Sequence, residues 1–184
     1  LAEARTRTFA RRKILMVSTP TIRGASRIER EYQLSDQRKY MVPCPECGSH
    51  QWLKFEQLKW PKGKPEDALY ECEHCEHKIE ERYKTWMLQN GYWESQAESD
   101  GRTAGFHLSS LYSPYGWRSW AQIARAWVGA QGSDAAIKSF KNTELGETYV
   151  EVGEAPDWQR LYERREPYKI GATPKGGLFI TAGA

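Results

Sequence analysis

Long apolar runs are missing from this 184-residue chain. The longest clean one, Ile14-Leu15-Met16-Val17, falls far short of the ~20 residues a membrane helix needs. The first residues lack the apolar stretch of about 7–15 residues that a secretory signal carries. Secretion and membrane insertion are both disfavoured. Cysteine is scarce too, at four residues. What is abundant is polarity: 28% of residues are charged and the mean hydropathy is −0.78. That polarity does not mean disorder, because eight Trp, ten Tyr and five Phe are too much aromatic mass for a chain that never packs. The length suits one ordinary domain or two small ones, large enough for a real core.

The net charge of +3 says little until it is located. Residues 1–39 carry ten Lys/Arg against four Asp/Glu, and the remainder carries seventeen against twenty. The asymmetry directs an anionic partner to the N-terminal part, although a solvated basic face would look the same.

The four cysteines form two C-x-x-C pairs, Cys44/Cys47 and Cys72/Cys75, with 24 residues between them. Cysteines so spaced turn both sulfurs inward from one tight loop, a knuckle. Pro45 stiffens the first loop, and Gly48 permits the backbone to turn away. Two facing knuckles supply four thiolates to one tetrahedral ion, which suits zinc. The spacing slightly exceeds the usual pattern, and the excess fits in the loop Pro61-Lys62-Gly63-Lys64-Pro65. Short strands at Tyr40–Val42, Gln51–Phe55 and Ala68–Tyr70 would hang from the knuckles, as in a zinc ribbon. Two disulfides would need an oxidising compartment. Iron would use the same four sulfurs. His50, His74 and His77 are competing ligands, with His74 expected to point to solvent. Four thiolates leave no open position for water or substrate, so the metal's role is folding energy rather than catalysis.

Before the ribbon, Lys13–Val17 reads as a buried parallel strand. Ser18-Thr19-Pro20-Thr21 and Gly24 follow it, where α/β sheets place ligand contacts but where a plain turn would serve equally. Ser26-Arg27-Ile28-Glu29 is a capping box opening a helix to about Leu34. After the ribbon, Glu80–Asn90 reads as a helix stopped by Gly91, with strands at Tyr92–Glu94 and Thr103–Leu108. His107 has a hydrogen-bonded structural role there. The aromatic loop Leu111–Trp117 could stack bases, but anchoring to the core is preferred. Ser119 and Gln122 form a second capping box. The helix behind it carries the stripe Trp120, Ile123, Ala124, Trp127 and Val128. Ser133-Asp134 caps another helix bearing Ala136, Ile137, Phe140 and Leu145, and the two should pack as an α-hairpin. Periodicity is then lost, apart from a short helix near Asp157–Arg165 and a strand over Gly177–Ala182. The abrupt ends suggest a piece of a longer protein.

The fold class expected is α+β. A four-cysteine zinc ribbon (39–80) is flanked by an α/β fragment (1–38) and by mixed strands with an amphipathic α-hairpin (81–146). A linker (147–176) and a final strand (177–184) complete the chain.

Several segments carry a family likeness. Arg11 to Ile22, Arg27-Ile28-Glu29, Ser35 to Arg38, Tyr40, Val42 to Gly48, Phe106 to Pro114 and Phe179 to Ala184 occur in order. Together they resemble the large terminase subunit of lambda-like phages, the GpA family. The resemblance implies an ATP-driven motor that packages concatemeric phage DNA and a metal-dependent nuclease that cuts it, in the cytoplasm of a bacterial host or from a prophage. Residues 1–38 would then be the end of the ATPase core, with Ser18-Thr19-Pro20 as its coupling motif. The ribbon would be an insertion, and 177–184 the first strand of the nuclease. Implied cofactors are zinc here, and ATP and magnesium for the parent. Implied partners are double-stranded DNA, the small terminase subunit and the portal of the procapsid, with no membrane. Arg5, Arg7, Arg11 and Arg12 are candidate phosphate contacts. The chain has no G-x-x-x-x-G-K-[ST] and lacks the nuclease carboxylates, so this piece alone should neither hydrolyse ATP nor cut DNA. The alternatives are a self-standing zinc-ribbon adaptor for nucleic acid or protein, and a rubredoxin-like electron carrier.

Overall fold

A computed structural model describes residues 3–98 and 101–150. The chain divides into two units, Leu1–Val150 and Glu151–Ala184, and the described residues all belong to the first. The expected linker past Val150, the short helix near Asp157–Arg165 and the strand Gly177–Ala182 lie outside the described residues.

In chain order the main elements are α1 (Arg27–Gln33), β1 (Arg38–Pro43), β2 (His50–Trp52), β3 (Leu58–Lys59), β4 (Leu69–Glu71), β5 (Lys78–Ile79), α2 (Lys84–Gln89), β6 (Tyr92–Glu94), β7 (Phe106–His107), α3 (Trp120–Ala130) and α4 (Asp134–Phe140). A π-turn over Lys141–Leu145 extends α4 and ends at Gly146, whose φ of 64° only glycine adopts cheaply. Helix and strand are mixed, as the sequence indicated.

Two small sheets result. In the first, β1 is central: β2 and β6 flank it antiparallel, and β7 pairs with it in parallel. In the second the order is β3-β4-β5, all antiparallel. The period of two in β1 turns Tyr40 and Val42 to one face. Val42 is fully buried, and the Tyr40 ring packs on Trp93 at 5.0 Å while its hydroxyl donates to the Leu88 carbonyl at 2.7 Å.

One core serves both sheets and the helical hairpin. Trp120, at the start of α3, is wholly buried against Tyr70 of β4 at 5.7 Å. Its indole N–H donates to the Leu111 carbonyl at 3.1 Å, so the polar atom costs nothing on burial. Phe55, Trp127 and Phe140 form a three-ring cluster with centroids 5.1–5.3 Å apart. The α3 capping box forms on both sides: the Ser119 hydroxyl accepts the Gln122 N–H at 3.1 Å, and the Gln122 amide oxygen accepts the Ser119 N–H at 2.9 Å. Ser133 caps α4 likewise, accepting the Ala136 N–H at 3.3 Å.

Five expectations need correction. Lys13–Val17 is not a buried strand: Leu15 and Val17 are 89% and 84% exposed, and no described residue pairs with the segment. A parallel strand needs neighbours along its edges and layers on its faces, and the described residues supply neither. The Ser26 side chain makes no cap bond, and the return half of the box is missing too: the Ser26 N–H donates to the Ile22 carbonyl while Glu29 accepts the Gly24 N–H. The helix expected over Glu80–Asn90 is a 3-10 turn over Glu81–Tyr83 followed by α2, which ends, as expected, just before Gly91. The lack of a side chain at Gly91 matters for close approach, since a Cβ there would lie 2.6 Å from the Met41 carbonyl oxygen. Val128 leaves the apolar stripe, at 48% exposure. The loop Leu111–Trp117 divides: Leu111 and Tyr112 are buried anchors, whereas Tyr115 and Trp117 face solvent.

Candidate metal centre

The first knuckle is the loop between β1 and β2, and the second is the loop between β4 and β5. Each is a hairpin end closed by the same backbone bonds. In the first, the Cys44 N–H donates to the Ser49 carbonyl at 2.9 Å and the Gly48 N–H to the Cys44 carbonyl at 2.9 Å. In the second, the Cys72 N–H donates to the His77 carbonyl at 3.0 Å and the Glu76 N–H to the Cys72 carbonyl at 3.0 Å. Gly48 and Glu76 occupy the same turn position, with φ of 71° and 58°. Glycine takes that conformation freely, while Glu76 holds it at a cost of roughly 1–2 kcal/mol.

The knuckles face each other. Cys44 Sγ lies 3.8 Å from Cys75 Sγ, and Cys47 Sγ lies 3.9 Å from Cys72 Sγ. All four sulfurs fall within 4.8 Å of one another. A regular tetrahedron with Zn–S bonds of ~2.3 Å has edges of about 3.8 Å, so the sulfurs stand where one ion would need them. They are free thiols, and their separations are far beyond a disulfide bond of about 2.05 Å. No histidine joins the group among the described residues. His74 is exposed, as its place inside the second pair suggested, and His50 instead stacks on Tyr92 at 5.0 Å.

The four thiols are not alike. Cys44 and Cys72 are buried, and Cys47 and Cys75 are exposed. Burial pushes the Cys44 thiol up to about 12. The Ser49 hydroxyl and backbone N–H pull the Cys47 thiol down to about 6. A thiolate is therefore already favoured at the exposed Cys47 corner, whereas the buried Cys44 corner needs a cation to ionise.

Three supports of the site were not evident in the sequence. Gln51 of β2 is buried, and its amide oxygen accepts the Glu73 N–H at 2.9 Å, tying the first sheet to the second knuckle. Tyr112 lends one hydroxyl to two backbone partners, accepting the Leu53 N–H at 2.6 Å and donating to the Tyr40 carbonyl at 2.8 Å. Lys84 is wholly buried, with its ammonium 2.7 Å from Glu81 and 3.1 Å from the Arg118 carbonyl. Glu81 also accepts the Trp120 N–H at 3.0 Å, so this pair fastens the start of α3 to α2 and the turn before it. The alternation expected in this segment turned Trp52 inward, whereas Gln51 is the buried residue of β2; nothing local marks Lys84 as buried.

The remaining candidates stand apart from the cysteines. Ser18 and Thr19 are exposed, with the Ser18 hydroxyl donating to the Thr19 carbonyl at 3.0 Å, and Pro20 is buried. Arg5, Arg7, Arg11 and Arg12 all lie on the N-terminal segment, where Arg7, Arg11 and Arg12 are exposed and Arg5 is exposed too. His107 is hydrogen-bonded, with Nε2 3.1 Å from both the Leu145 and the Gly146 carbonyls. No described helix is long and apolar enough to cross a membrane.

Comparison with known proteins gives this geometry a family. Residues 1–93 match the ATPase domain of the phage terminase large subunit gpA, and residues 103–184 match the endonuclease domain of the same subunit. The terminase large subunit of Enterobacteria phage P21 is 35% identical over 93% of this chain, and that of Escherichia phage lambda is 34% identical over the same share. The chain spans about 30% of the length of each. No solved structure matches it. On both matches, the chain belongs to the gpA family of phage terminase large subunits.

Proposed function

We propose that this chain is the central segment of an ATP-driven DNA-packaging motor and endonuclease, built around a structural zinc ribbon. The observation that carries the reading is the consecutive match to an ATPase model and a nuclease model on one chain, which favours a motor-to-nuclease segment over a self-standing adaptor. Cys44, Cys47, Cys72 and Cys75 would hold one zinc ion, whose chemistry here is to fix two hairpin ends by four thiolate bonds. With every corner a thiolate, its contribution is folding free energy.

Ser18-Thr19-Pro20 would be the coupling motif of the parent ATPase. Its exposure on a loop, followed by a buried proline, supports a contact made with other parts of that domain. Arg5, Arg7, Arg11 and Arg12 would meet the phosphates of duplex DNA. In the parent, ATP and magnesium would serve the motor, and the small terminase subunit and portal would be its partners. The segment alone would be inactive: it has no G-x-x-x-x-G-K-[ST] loop, and on the family resemblance it would lack the nuclease carboxylates. The test is to measure duplex cleavage and DNA-stimulated ATP hydrolysis by the full-length subunit. Both activities are expected there and neither in residues 1–184; a full-length subunit without either activity would refute the reading. Replacing the four arginines by alanine should weaken duplex binding and flatten its salt dependence, by up to about 0.9 in log–log slope for each phosphate no longer neutralised.

A further inference from the structure

The loop that follows Ser18-Thr19-Pro20 is fastened to the far end of the helical hairpin. The Tyr149 N–H donates to the Thr21 carbonyl at 3.0 Å, and the Arg23 N–H donates to the Tyr149 carbonyl at 3.0 Å. These bonds make a parallel bridge between Ile22 and Tyr149, more than a hundred residues apart. Glu29, on α1, closes the same junction with its two carboxylate oxygens. One accepts the Gly24 N–H at 2.8 Å and the other accepts the Thr148 hydroxyl at 3.0 Å. With its amide group turned over by 180°, Asn142 would donate to the Thr21 and Glu147 carbonyls at 3.1 and 2.9 Å.

The other side of residues 145–146 is held as well. His107 Nε2 donates to the Leu145 and Gly146 carbonyls, and its Nδ1 faces the Lys39 ammonium at 3.3 Å as acceptor. Gly146 packs so closely that a Cβ would lie 3.2 Å from the Leu108 carbonyl oxygen and 3.3 Å from His107 Nε2. Residues 142–149 are thus gripped between β7 and the loop after Pro20. The chain then continues within the stretch matched by the nuclease model, whereas Thr21, Gly24 and Glu29 lie in the stretch matched by the ATPase model.

We infer that this strap, made by Glu29, Thr148 and the Ile22–Tyr149 bridge, couples the Ser18-Thr19-Pro20 loop to the nuclease part of the chain. The inference rests on the coupling-motif reading of that loop. A loop that shifts with nucleotide state pulls on Thr21 to Gly24, and the bonded partners of those residues are the last ones before residue 151. Coupling needs a contact that both sites bias, and one carboxylate shared by Gly24 and Thr148 is such a contact.

The experiment is a double-mutant cycle in the full-length subunit. The readout is the ratio of duplex cleavage with ATP to cleavage without nucleotide, measured for wild type, Glu29→Ala, Thr148→Val and the pair. Thr148→Val deletes only the hydroxyl at nearly constant volume. Each single variant is expected to bring the ratio at least threefold closer to one, with the double variant no further changed. Cleavage without nucleotide and ATP hydrolysis should stay within twofold of wild type, which a merely unfolding variant would not allow. Thr19→Ala separates the two readings. If Thr19→Ala changes the ratio and the strap variants do not, the strap is overturned and the coupling motif stands. If the strap variants change it and Thr19→Ala does not, the strap stands and the motif assignment falls. A wild-type ratio of one overturns the strap outright.

Discussion

Lys84, the first residue of α2, is the side chain whose replacement reports most sharply on how the helical hairpin is fastened to the rest of the core. It has no exposure, and its ammonium meets Glu81 at 2.7 Å, the Arg118 carbonyl at 3.1 Å and the Trp120 ring face at 5.3 Å. Burial lowers its affinity for the proton, and the Glu81 carboxylate opposes that loss. Lys84→Met keeps most of the volume and deletes the charge. Removing one member of a fully buried pair costs about 3–5 kcal/mol, but the Glu81 side chain retains 20% exposure and its bond from Trp120. The Arg118 carbonyl loses its donor, worth about 1–3 kcal/mol. A cost of about 2–3 kcal/mol is therefore expected for Lys84→Met. Lys84→Ala also empties the space of three methylenes at about 0.8 kcal/mol each, so about 4–5 kcal/mol. Because Glu81→Gln removes the stranded charge, Glu81→Gln with Lys84→Met should recover about 1 kcal/mol over Lys84→Met alone. Urea unfolding followed by tryptophan fluorescence, in zinc-replete buffer, measures all three. A Lys84→Met cost under about 0.5 kcal/mol, or a double variant less stable than the single, would refute a buried, paired lysine.

Three further outcomes are expected. Gly105→Ala places a Cβ 1.9 Å from Ser35 Oγ, and Ser35 is buried with its hydroxyl donating to the Tyr32 carbonyl at 2.6 Å, so it cannot retreat; a loss of about 1–3 kcal/mol in urea unfolding follows, partly restored by Ser35→Ala. Tyr112→Phe leaves the Leu53 N–H and the Tyr40 carbonyl without their partner and should cost about 2 kcal/mol, with no change in metal content. His107 is held below its ordinary value of about 6.5 by burial and by Lys39, so the folded state resists the proton that the unfolded state accepts. Stability contributed by neutral His107 is present above that ordinary value and is lost as pH falls toward the folded one; thermal melts from about pH 7.5 to about pH 5 should show a decline that His107→Gln reduces.

The four-cysteine cluster was legible in the sequence because a knuckle is a local object. Two cysteines, a proline and a glycine within five residues dictate the first turn, and the second repeats it with Glu76 where glycine was the natural choice. The pairing of α3 with α4 was legible for the same reason, since Ser119, Gln122 and the stripe from Trp120 to Trp127 all act within three turns. What could not be read depends on distant partners. Glu29 stands at the right spacing to cap α1, yet its carboxylate is drawn to Gly24 and to Thr148, 119 positions away. Lys84 looks like an ordinary surface lysine until Arg118 and Trp120 fold over it. Leu15 and Val17 carry a strand's composition, but burial of a strand is decided by its neighbours, and the described residues provide none.

Elemental analysis of the natively purified chain tests the central claim most directly. One zinc per chain is expected, bound by Cys44, Cys47, Cys72 and Cys75 and lost, together with the far-ultraviolet circular dichroism of the folded chain, when a strong chelator is added. Protein without bound metal, a stoichiometric iron content with visible colour, or a spectrum unchanged after zinc removal would contradict it.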